Sequence, residues 1–158
     1  MAMIRLQTTR RAAAFAAVLA LTGWTFALAT AAPQASDEER FKKLDAGPKV
    51  IDVSKYPPEQ QQAYKLFQTK CSSCHVIARA VNTEMVLPGD WERYVKRMMH
   101  KPNSGIASEE GKTLYRFMVY DAAARKADAL RKAVVGLPAE EKAAAVDKIK
   151  AINPSFAP

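Results

Sequence analysis

The chain has 158 residues, with 24 Lys and Arg against 16 Asp and Glu, a formal charge of +8. That length suits one domain and is short for two. Apolar residues make up 49% and charged residues 25%, which argues against wholesale disorder, and two Cys are too few for a multi-disulfide scaffold.

The N-terminus is basic, with Arg5, Arg10 and Arg11. From Ala12 to Ser36 no residue is charged, and small residues follow in an A-x-A pattern at Ala27–Ala29 or Ala29–Ala31. Residues 1–31 therefore read as a signal peptide cut after Ala29 or Ala31. An uncleaved anchor is the alternative, because the run is just long enough to span a bilayer. Arg10-Arg11 fits the twin-arginine pattern poorly, since Ala follows. Removing 1–31 leaves 21 basic and 16 acidic residues, a net +5. The expected location is periplasmic, without stable membrane insertion after cleavage. The remaining charge is too modest to point to nucleic acid.

Residues 32–55 show no clear period and read as an extended N-terminal arm. Pro57-Pro58 opens a helical stretch, EQQQAYKLFQTKC, with Ala63, Tyr64, Leu66, Phe67 and Cys71 at helical spacing. Asp90 is a candidate N-cap for a helix from Trp91 to about His100, which Pro102 stops. Ser108 is a candidate cap for a third helix over 108–120 carrying Leu114, Phe117, Met118 and Tyr120. Two further runs, 121–135 and 138–151, are broken at Gly136-Leu137-Pro138. No strand-like alternation of useful length is present, so the chain is expected to be all-α.

Both cysteines lie in one string, Cys71-Ser72-Ser73-Cys74-His75. C-x-x-C-H is the signature for covalent attachment of one c-type haem. Two thiols at this spacing reach the two vinyl groups, and the adjacent His is placed to ligate the iron. A zinc ribbon would need more ligands than His100 supplies. A thioredoxin-like pair would need a βαβ context. A structural disulfide here would close a short, strained loop.

With this motif the sequence resembles a small monohaem c-type cytochrome of the class I kind, over roughly residues 56–122. In that family the haem-attaching Cys ends an N-terminal helix, after a small residue and an aromatic at intervals of four. Ala63, Phe67 and Cys71 match, although Gly is commoner at the first place. The resemblance implies that this helix crosses the 108–120 helix, with Leu114, Phe117 or Tyr120 at the contact. It also implies that Pro88, thirteen positions after His75, offers its carbonyl to the other ring nitrogen of the axial His. A plain helix-entry turn is the competing reading of Pro88. Residues 123–158 would be a helical extension, either packed on the haem domain or used for docking.

The second axial ligand has five candidates: Met85, Met98, Met99, His100 and Met118. At about 100° per residue, Trp91, Val95 and Met98 share one helical face, Met99 sits at its edge and His100 points away. The segment Trp91-x3-Val95-x-Arg97-Met98 also resembles one in which the Met ligates iron. Met98 is the expected partner of His75, with Met99 and His100 as alternatives. Arg79, Trp91 and Arg97 are candidate contacts for the haem propionates.

The resemblance implies an electron carrier with His/Met ligation, not an enzyme, whose Lys-rich surface meets redox proteins with an acidic docking face. The alternative is a haem enzyme or gas-binding sensor with an open distal iron site.

Overall fold

The computed structural model describes residues 36–158. Residues 1–35, and with them the expected signal peptide, lie outside the described residues. The described chain is all-helical, with α1 (Asp37–Asp45), α2 (Pro58–Cys71), α3 (Ala78–Val81), α4 (Pro88–Met99), α5 (Ser108–Arg125), α6 (Ala127–Val135) and α7 (Ala139–Lys150). None of these helices is long and apolar enough to cross a membrane.

Helix α5 is the hub, packing against α2, α4, α6 and α7. Its contact with α2 is aromatic. Phe117 meets Tyr64 at 5.6 Å and Phe67 at 5.5 Å between ring centroids. Offset packing of this kind adds about 0.5–1.5 kcal/mol per pair beyond the area buried. Phe117 is thus at the contact between the two helices, and Leu114 is buried. Tyr120 is only partly buried and packs edge-on against Tyr56 instead.

Four local expectations change. The arm at 32–55 is not wholly extended, because α1 forms inside it. Ser36 caps α1 with its hydroxyl on the Glu39 amide, and the Glu39 carboxylate accepts from the Ser36 amide in return. Asp90 is not the cap of α4. Pro88 takes the first position of that helix, where a missing N–H costs nothing, and Asp90 accepts from Arg93. Ser108 does not cap α5. Ala107 holds that place, and its amide donates to the Glu110 carboxylate at 2.8 Å. Finally, α5 runs on to Arg125, through the expected division at 122/123.

The reason for that last difference is a buried charge network. Asp121 is 4% exposed and accepts from Tyr56 (2.9 Å) and from two nitrogens of Arg125 (2.9 and 2.6 Å). Paired this way, a carboxylate sits inside a helix instead of ending it. Arg125 also donates to the Val81 carbonyl, and Lys126 to that of Thr83. The end of α5 therefore pins the segment that leads from α3 into α4.

The C-terminal helices join the same core. Leu130 and Val134 of α6 and Ile149 of α7 are fully buried in one cluster with Phe117 and Trp91. Replacing Ile149 with Ala is expected to cost about 2–5 kcal/mol, read as a lower urea midpoint. Burial, then the neighbouring Arg125, lowers the Lys126 pKa to about 8. The unfolded chain holds that proton to higher pH, so stability should rise from pH 8 to pH 9. Urea titrations at the two pH values test this, and Lys126→Met should flatten the rise.

Candidate functional site

Phe67 faces α5 in the core, and one turn later the same helical face presents Cys71, the last residue of α2. The chain then leaves the helix at once. The Ser72 and Ser73 hydroxyls donate back to the Thr69 and Lys70 carbonyls, satisfying oxygens that the helix end would orphan. Cys74 is exposed and His75 half-buried in the turn that follows. Both cysteines are free. Burial, and next the nearby Cys74, pushes the Cys71 thiol up to about 12. A thiol so shifted is protonated at neutral pH.

Cys71, Cys74 and His75 line a cavity of about 610 Å³. That volume lies within the range of small-molecule and cofactor sites. Helix α1 adds Phe41 and Leu44, and α3 adds Arg79. Met85 comes from the α3–α4 segment, Tyr94, Arg97 and Met98 from α4, and Ile106 from the following loop. His75 donates from Nδ1 to the Val76 carbonyl at 3.0 Å, and Nε2 has no hydrogen-bond partner among the described residues. Pro88 therefore does not orient this ring. It opens α4, the helix-entry role that competed with it.

The structure separates the ligand candidates. Met98 and Met85 line the cavity with His75. Met99 does not; it packs on α5 where Gly111 has no side chain, and a Cβ there would overlap its sulfur. His100 is exposed and bonded through Nδ1 to the Lys96 carbonyl at 2.6 Å. Met118 is buried in the core of α5. Among the described residues, no group of three or more His, Cys, Asp and Glu is placed to hold a bare metal ion.

The three candidate carboxylate-binding residues also part. Trp91 is 1% exposed, edge-on to Tyr94 at 5.7 Å, and does not line the cavity. Its indole N–H is buried without a partner. Arg79 lines the cavity but is engaged with Asp45, Nε to Oδ1 at 3.0 Å, and lies over the Phe41 ring at 4.4 Å. Arg97 lies 5.5 Å from the Tyr94 ring centroid and has no acidic partner among the described residues.

Helix α1 is the part of the cavity that was not foreseen. No residue of α1 is fully buried, and the helix it packs on is α3. Asn82 fastens its C-terminal end, with Nδ2 at 2.9 Å from the Leu44 carbonyl and 3.1 Å from that of Pro48. Gly47 lies against that amide, where a Cβ would collide with it. The Ser36-x-x-Glu39 capping box was the available signal for this helix.

No known family model, curated protein or solved structure matches the chain.

The Arg79 guanidinium holds the Asp45 carboxyl below the usual carboxylate range. The ion pair is thus present at neutral pH and lost as pH falls through that lowered pKa. Asp45→Asn should loosen α1 at pH 7. Amide exchange in residues 37–45 is expected to speed up by up to about five-fold, with α2 and α5 unchanged.

Proposed function

We propose that the chain is a c-type cytochrome, an exported electron carrier holding one covalent haem with His75 and Met98 as axial ligands. One observation carries this reading: the C-x-x-C-H string and Met98, 23 residues apart from His75 in sequence, line the same cavity. The donor set suits the group. Two unpaired thiols offer thioether links, the free Nε2 of His75 offers a nitrogen, and Met98 offers a thioether sulfur. When bound, such a haem supplies a one-electron couple.

The protein's own residues do the rest. Cys71 and Cys74 hold the group at the end of α2. The bond from His75 to Val76 fixes the ring and strengthens its other nitrogen as a donor. Leu44, Phe41, Tyr94 and Ile106 give the cavity apolar walls. Arg97 is the freer cation for a propionate, and Arg79 would share its guanidinium with Asp45. Trp91 does not line the cavity, and its buried indole N–H has no partner among the described residues. Lys101 lines the cavity, is exposed and has no acidic partner among the described residues, and it would steer an acidic redox partner, with association slowing as salt rises. A periplasmic location follows from the expected signal peptide.

The test is visible spectroscopy of the haem-loaded protein. The ferric form should show the weak far-red sulfur-to-iron band. Met98→Ala should abolish that band and lower the reduction potential, while Met85→Ala and Met99→Ala should keep both. A high-spin ferric spectrum in the unmutated protein would sink the proposal and favour an open distal site.

A further inference from the structure

A second cavity, of about 580 Å³, lies between α4, α5 and α7. It shares no lining residue with the first. Its apolar lining includes Val95, Met99, Tyr115, Ala151 and Ile152. Gly111 lets the flexible Met99 side chain lie flat on α5, and such a thioether adapts readily to a guest.

The charge around it is one-sided. Lys96, Lys112, Arg116 and Lys148 line it against a single acid, Glu92. That carboxylate is already taken, by Lys96 at 2.7 Å and Lys148 at 3.6 Å. Lys112 pairs with Glu109, both strongly exposed, a contact worth little in water. Arg116 is exposed and has no acidic partner among the described residues. Its planar fork matches a carboxylate through two parallel N–H bonds.

We propose that this cavity binds a long-chain carboxylate, with the alkyl tail against Met99, Val95 and Ile152 and the head at Arg116. A neutral chain of the same length would leave the cations unused, and a cationic one would be repelled. Its volume is within the range of small-molecule sites, and its open side leaves the head group in reach of the exposed Arg116.

Calorimetry on the full chain tests this, with dodecanoate and dodecyltrimethylammonium below their critical micelle concentrations. Dodecanoate is expected to bind one saturable site at least ten-fold more tightly than the ammonium compound. Octanoate should bind more weakly, by up to about four-fold for each methylene removed. Arg116→Glu should weaken dodecanoate about ten-fold or more. Ala151→Glu, which puts a carboxylate on the lining at an exposed position, should do the same, with circular dichroism checking that both variants fold. Equal affinity for the two head groups, or unchanged binding in both variants, would overturn the proposal. So would attachment to phosphatidylglycerol vesicles without saturable binding of free dodecanoate.

Discussion

The packing of Tyr64 and Phe67 on Phe117 sets the position of α2 along α5. Cys71 lies one turn beyond Phe67, so this aromatic contact also positions the end of α2 from which the C-x-x-C-H turn leaves. Everything at the first cavity is downstream of it. The same helix α5 receives α4, which brings Met98, and α6 and α7, which close the core. The site is thus an arrangement of helix ends about one central helix, held by apolar contacts that do not themselves touch it.

Charges take a second role, fastening segments that carry little apolar surface. Arg125 and Lys126 reach across to the carbonyls of Val81 and Thr83 and hold the stretch that delivers Met85. Arg79 and Asn82 hold α1, which has no fully buried residue of its own. A segment fastened this way opens more easily than the core, because its bonds exchange readily with water. The cavity therefore has a firm side built on α2 and α4 and a looser side made by α1.

Much of this was legible in the sequence where the signal was local. Pro57-Pro58 and the spacing of Ala63, Phe67 and Cys71 describe α2 as it stands. The helical wheel of 91–100 separates Met98 from Met99 and His100, but it groups Met98 with Trp91 and Val95, whereas Met98 lines the first cavity with Tyr94 and Arg97 and Val95 lines the second with Met99. The misses come from partners distant in the chain. Asp121 looked like a place for a helix to change because its partner Tyr56 is 65 residues away. Asp45 meets Arg79 across 34 residues, so nothing near α1 announces that it docks. Trp91 offers an indole N–H, but it is buried on α4 and does not line the cavity, which the period of the helix alone does not decide.

Met98 and Met99 are neighbours on one helix, and they serve as walls of two different cavities. Adjacent side chains on a helix diverge by about 100° and turn together. Any roll of the last turn of α4 therefore moves both sulfurs at once, like two teeth on a single gear. A substitution that tilts the last turn of α4 would be felt on the walls of both cavities.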